Sequence, residues 1–91
     1  MTTQSVTIVN SLGMHARAAA RFVNAASEFA ARVRVARGGR EVDGKSILGL
    51  LLLAASQGSA IVITAEGPDE EQAVAALCRL VAEGFGEAPC A

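Results

Sequence analysis

The chain contains a single histidine, His15, within Gly13-Met14-His15-Ala16-Arg17. A neutral imidazole is a nucleophile near neutral pH and can carry a group covalently on one ring nitrogen. His15 stands between a turn, Asn10 to Gly13, and a run of helical period that opens at Ala16. That places it at the helix N-cap, where a side chain faces backbone N–H groups that have no partner inside the helix. Those donors, with the positive end of the helix macrodipole, make an anion site. Arg17 adds a permanent charge and a planar fork of donors suited to phosphate. Residue types and spacing reach no further than an anion site at a helix start. A plain capping histidine and a solvated helical arginine fit the same residues.

A second candidate is Ser46, the residue before Ile47-Leu48-Gly49-Leu50-Leu51-Leu52-Leu53. As an N-cap it needs no role beyond about 1 kcal/mol of helix stability. A short helix with this many leucines cannot bury them all. Leu50 and Leu53 are assigned to the core. Ile47, Leu48 and Leu51 are left as an exposed patch near His15, a footprint for a protein partner. Arg17, Arg21 and Lys45 would rim that patch and attract acidic surfaces.

The elements that must position these residues follow from periodicity. Ser5 to Val9 reads as a strand. Ala16 to Ala31 carries an apolar stripe at Ala19, Phe22, Val23, Ala26, Phe29 and Ala30, and reads as a helix. Arg32 to Ala36 alternates charge and valine, a strand wet on one face; Gly38-Gly39 is a hairpin signal, with Glu41 to Asp43 returning. Ser46 starts the second helix, and Gln57-Gly58-Ser59 breaks it. Ala60 to Ala65 is apolar on both faces and so reads as a central strand. Asp69, with Gln72 three residues on, gives a capping-box start to a third helix buried through Ala73, Val74, Leu77, Leu80 and Val81. The segment after Glu83 reads as a frayed tail. The order βαββαβα predicts an α+β open-faced sandwich, a four-stranded antiparallel sheet with three helices on one face. One domain is expected over 1–91, with an ordered core at about 4–84 and a tail at 85–91.

Composition excludes other classes. A chain of 91 residues has room for one compact domain, and 52% hydrophobic residues are enough to fold it. With only three phenylalanines and no Trp or Tyr, the core must be built mainly from Val, Ile, Leu and Ala. A net charge of −1 with mixed signs argues against a nucleic-acid binder. The longest apolar run, Ile47 to Ala55, is far short of the roughly 20 residues that span a bilayer. The polar start Met1-Thr2-Thr3-Gln4-Ser5 lacks the layout of a signal peptide, so the expected location is the cytoplasm. Cys78, in a helical pattern, and Cys90, in the tail, form neither a disulfide framework nor a metal cluster, and no metal is expected.

Three segments carry a family resemblance. Leu12-Gly13-Met14-His15-Ala16-Arg17-Ala18-Ala19 resembles the active-site signature of the histidine-containing phosphocarrier proteins, HPr and its nitrogen-related homologue NPr. Lys45-Ser46-Ile47-Leu48-Gly49-Leu50 resembles the segment around that family's regulatory serine. Ala65 to Ala73 resembles the junction before its last helix. The matches stand in the family's order and spacing and cover nearly the whole domain.

The resemblance implies a relay of the phosphotransferase system, in its sugar or nitrogen-regulatory branch. Enzyme I, charged from phosphoenolpyruvate, passes a phosphoryl group to Nδ1 of His15, which hands it to an EIIA-type protein. The phosphoryl group would rest on Arg17 and the backbone of Ala16, Arg17 and Ala18. Such a protein is a carrier rather than a stand-alone turnover enzyme, works as a monomer and needs no cofactor. Ser46 would be the target of HPr kinase/phosphorylase. The family usually has proline after His-x-Arg, whereas this chain has Ala18. That departure, with Phe85-Gly86-Glu87, resembles alphaproteobacterial members. Two other readings are an HPr-like regulatory module that binds partners without phosphate, and a phosphate-handling enzyme of the acylphosphatase kind. The latter would need an arginine-containing anion loop with an Asn or Gln to position water, and no such pair is convincingly placed.

Overall fold

A computed structural model describes residues 1–86. Its elements are β1 (Thr2–Thr7), α1 (Ala16–Ala26), β2 (Arg32–Arg37), β3 (Arg40–Asp43), α2 (Ile47–Leu53), β4 (Ala60–Glu66) and α3 (Glu70–Ala82), followed by a 3₁₀ turn at Gly84–Gly86. The strands form one antiparallel sheet in the order β1-β4-β2-β3. Alternation decides which face is covered. Val33 and Val35 of β2 and Ile61, Ile63 and Ala65 of β4 are fully buried. Ala60, Val62 and Glu66 are exposed on the other face, as is the Arg34–Glu41 ion pair at 3.8 Å. The α+β sandwich expected from the element order is the observed fold.

Beneath the covered face, Ala18, Ala19, Phe22 and Ala26 of α1 meet Ala73, Val74, Leu77, Cys78 and Val81 of α3 in one core. Small side chains on α1 let it lie close to its neighbours, and Phe22 supplies bulk. No helix among the described residues is long and apolar enough to cross a membrane.

Several element ends differ from the sequence reading, each for a tertiary reason. β1 runs from Thr2 to Thr7, not Ser5 to Val9, because Thr2, Thr3 and Gln4 pair with Ala65, Thr64 and Ile63 of β4. α1 stops at Ala26 rather than Ala31. The N–H groups of Ala30 and Ala31 leave the helical pattern and donate to the two carboxylate oxygens of Asp69, both at 2.8 Å. Asp69 precedes α3 but makes no side-chain cap bond, since its carboxylate is occupied there. The reach-back comes instead from Glu70, whose Oε1 accepts from the Gly67 N–H at 3.2 Å; Gln72 is exposed and forms no capping box. Val62 is 37% exposed, so central β4 is not covered on both faces. The tail placed at 85 is also corrected, because Phe85 is fully buried in the core. Pro89 and Cys90 lie outside the described residues.

Glu70 also ties down the start of the chain. Its Oε2 accepts a hydrogen bond from the Thr2 hydroxyl and pairs with the Met1 ammonium, each at 2.7 Å. The ammonium bond first, then Thr2 and the Gly67 N–H, hold its carboxyl at about 2, below the ordinary 4.5. A carboxyl lowered on folding adds stability that is complete above its unfolded value and is lost as pH falls through its folded value. The window is therefore from about 4.5 down to about 2. Thermal melts across that range should show the wild-type melting temperature falling more steeply than that of Glu70→Gln. Parallel curves would mean that the carboxylate contributes nothing.

Candidate functional site

The site is built by the loop from β1 to α1. The Asn10 side-chain amide donates to the Gly13 carbonyl at 2.8 Å, and that carbonyl also accepts the His15 N–H at 2.9 Å. The Met14 N–H donates to the Ala55 carbonyl, just past α2, at 2.8 Å, and the Met14 side chain is buried. Gly13 has φ +66°, and a Cβ there would lie 2.6 Å from the Ala55 oxygen. Only glycine satisfies both the left-handed backbone and this approach. The His15 loop is thus locked to the exit of α2.

His15 is the N-cap of α1, with φ −81° and ψ 178°. Its Nδ1 accepts the Arg17 backbone N–H at 3.2 Å, and its carbonyl accepts the Ala19 N–H at 2.8 Å. A backbone amide can only donate, so Nδ1 carries the lone pair and the neutral ring keeps its proton on Nε2. The first turn of α1 holds no acidic residue. Ala16, Arg17 and Ala18 supply the first helical N–H groups, and no acceptor among the described residues takes that of Ala18. The Ala18 methyl is fully buried while Arg17 is exposed, and the Arg17 guanidinium has no partner among the described residues. The first turn of α1 thus holds the His15 ring nitrogen on its amide end, leaves the Ala18 N–H without an acceptor among the described residues, and carries the exposed Arg17.

α2 lies alongside. Ser46 caps it with φ −119° and ψ 115°, its Oγ accepting from the Gly49 N–H at 3.0 Å. Leu50 and Leu53 are buried as expected, while Ile47, Leu48 and Leu51 are 42%, 69% and 37% exposed. Leu12 and Leu52, which sequence reasoning left out, are also exposed. The spacing of Leu50 and Leu53 already turns Leu52 away from the core; nothing local flags Leu12.

The cations divide. Arg21 is half-buried, its Nη1 donating to the Phe85 carbonyl at 2.6 Å, and Lys45 donates from Nζ to the Phe29 carbonyl at 2.8 Å. Arg37 and Arg40, unnoticed in the sequence, donate to the carbonyls of Leu53 and Leu52 at 3.0 and 2.7 Å and satisfy the C-terminal end of α2. Burial raises the Cys78 thiol, which keeps it protonated and inert. No three His, Cys, Asp or Glu residues cluster as metal ligands among the described residues.

Comparisons with known proteins identify the family. The family described as "PTS HPr component phosphorylation site" matches residues 2–83. The phosphocarrier protein HPr of Cupriavidus necator is 46% identical over 96% of this chain and 98% of its own length. The phosphocarrier protein NPr of Shewanella violacea is 41% identical over 93% of each chain. Crystallographic HPr from Thermoanaerobacter tengcongensis superposes with a TM-score of 0.92 at 42% identity, covering 97% of this chain and 99% of that one. A further structure from that organism, with a TM-score of 0.76 at 42% identity over 96% of this chain and 100% of that one, is of an HPr dimer.

Gly13→Ala tests the lock on the loop. Strained backbone and overlap with the Ala55 carbonyl should destabilise the fold by about 1–3 kcal/mol, read from urea unfolding. An unchanged midpoint would show that the loop does not depend on that approach.

Proposed function

This chain belongs to the HPr family of phosphocarrier proteins, and from that premise we propose that His15 is its phosphoryl-carrying residue, with Arg17 and the N–H groups of Ala16, Arg17 and Ala18 holding the phosphoryl group. The observation that carries this reading is the Nδ1 lone pair aimed at the N-terminus of α1 through the Arg17 N–H. In the transfer step that lone pair attacks the phosphorus of phosphorylated enzyme I. A new N–P bond forms, the bond to the donor breaks, and the electron pair departs on the donor. Nε2 keeps its proton, so the carried group sits on an imidazolium that leaves readily in the next step. The Arg17 N–H, released from Nδ1, becomes available to a phosphoryl oxygen, joined by the neighbouring amides and the guanidinium.

The onward acceptor is an EIIA-type protein. Both partners would dock on Ile47, Leu48 and Leu51, with Leu12 and Leu52 extending the apolar area. Arg17 is the open cation of the rim; Arg21 and Lys45 keep their charge there while bonded to carbonyls. We place the protein in the cytoplasm, as a monomeric carrier without cofactor, its phosphoryl group derived from phosphoenolpyruvate. The T. tengcongensis HPr dimer makes stoichiometry a direct measurement for this chain. The reading extends regulatory phosphorylation, by a kinase of the HPr kinase/phosphorylase type, to Ser46. A phosphate there suits the N-terminus of α2 and puts negative charge beside Ile47 and Leu48.

Ala18 shapes the site in its own way. Proline at this position would remove an N–H and pre-set φ; Ala18 keeps a donor in the first turn. Incubation with phosphoenolpyruvate and enzyme I should add one acid-labile, base-stable phosphoryl group to the wild type and none to His15→Ala. Absence of label on the wild type would favour a binding module, and turnover without retained label would favour an enzyme. Ala18→Pro should raise stability by about 0.4–1 kcal/mol and change the lifetime of the phosphohistidine. An unchanged lifetime and transfer rate would remove the Ala18 N–H from the mechanism.

A further inference from the structure

We propose that Arg21 is a positioning residue for phosphoryl transfer, clamping the turn at Gly84–Gly86 against α1 and the loop that carries His15. The proposal rests on the reading of His15 as the phosphoryl carrier. It starts from an unusual stretch of backbone: Gly84, Phe85 and Gly86 have φ of +67°, +59° and +73° in succession. Phe85 is neither glycine nor a small polar residue, so its left-handed conformation is strained and persists only where surrounding contacts over-determine it. Two do. Its ring is fully buried in the core, and its carbonyl accepts the short bond from Arg21 Nη1 at 2.6 Å.

The strained turn lies against the site loop. A Cβ on Gly84 would lie 3.6 Å from Asn10 Cβ and 3.8 Å from Val9 Cγ2. Asn10 in turn donates to the Gly13 carbonyl that receives the His15 N–H. Hydrogen bonds link Arg21 to Phe85 and Asn10 through Gly13 to His15, and between the two pairs Gly84 lies about one methyl group's width from Asn10. Arg21 stands on α1 four residues after Arg17, so one helix carries both the phosphoryl-facing cation and the clamp. The loop is then held on two sides, by Ala55 after α2 and by the turn after α3.

A docking cation and a positioning residue differ in what they alter. Loss of a docking charge raises KM for enzyme I and leaves the isolated phosphoprotein unchanged. Loss of a clamp changes the isolated protein itself. The test compares wild type, Arg21→Gln, Arg21→Lys and Gly86→Ala. Measurements are the hydrolysis half-life of the purified phosphoprotein without partners, kcat and KM with enzyme I, the Arg17 amide resonance of the unphosphorylated protein, and a melting curve for each variant. Arg21→Gln should change the half-life about threefold to tenfold and lower kcat, less than the roughly 10²-fold cost of a full 1 Å misplacement. It should also shift the Arg17 amide. Arg21→Lys keeps a donor for the Phe85 carbonyl and should restore most of the change. Gly86→Ala adds strain to a left-handed residue whose Cβ would lie 3.9 Å from Arg21 Nη1, and should reproduce the Arg21→Gln effect from the other side of the clamp.

An Arg21→Gln protein with unchanged half-life, kcat and Arg17 amide, and a raised KM alone, would overturn the proposal in favour of docking. So would a Gly86→Ala protein indistinguishable from wild type. Should wild type take no label, the carrier reading fails, while the Arg17 amide in the unphosphorylated variants still decides whether the clamp exists.

Discussion

The backbone around His15, on which the proposed carrier role depends, is fixed by the contact between Gly13-Met14 and Ala55. The Met14 N–H bonds to the Ala55 carbonyl at 2.8 Å, in a space that a Cβ on Gly13 would close. The rest of the fold makes the contact available. Buried Leu50 and Leu53 seat α2, Arg37 and Arg40 satisfy its last carbonyls, and Ala54 leaves the helix in the left-handed region at φ +52°. Ala55 then arrives beneath the loop. The small residues of α1 bring its N-terminus down to the same level.

The electrostatics are moderate, as a relay requires. A deeply buried cluster of cations would hold a phosphoryl group too well to pass it on. This site offers helix amides, the end of a helix macrodipole and one exposed arginine. The carboxylates held below their ordinary range lie elsewhere: Asp69 binds the Ala30 and Ala31 amides, and Glu70 binds the chain start. They hold the frame together and leave the first turn of α1 free of negative charge.

Most of the frame was legible because its signals are local. The alternation of Arg32 to Ala36, the Gly38-Gly39 turn and the capping positions of His15 and Ser46 concern neighbours within a few residues, and each is observed. What sequence reasoning missed involves distant partners. Asp69 looks like a cap from its neighbours, yet its acceptor capacity goes to amides 38 and 39 residues away. Phe85 sits between glycines near the end of the sequence and reads as tail, because Arg21 is 64 positions away. Val62 belongs to an apolar run, and only the sheet's single covered face shows that it must meet water. At the site, the N-cap position of His15 and the exposed place of Arg17 in the first turn were legible, while the binding of Arg21 and Lys45 to carbonyls was not.

The central claim is that the N-terminus of α1 selects Nδ1 of His15 as the reactive nitrogen. Imidazole ¹⁵N resonances of His15, before and after phosphorylation with phosphoenolpyruvate and enzyme I, test it most directly. The geometry predicts that the neutral ring carries its proton on Nε2 and its lone pair on Nδ1, then a phosphorus coupling on Nδ1 after transfer. A neutral ring protonated on Nδ1, or phosphorus coupled to Nε2, would contradict the account.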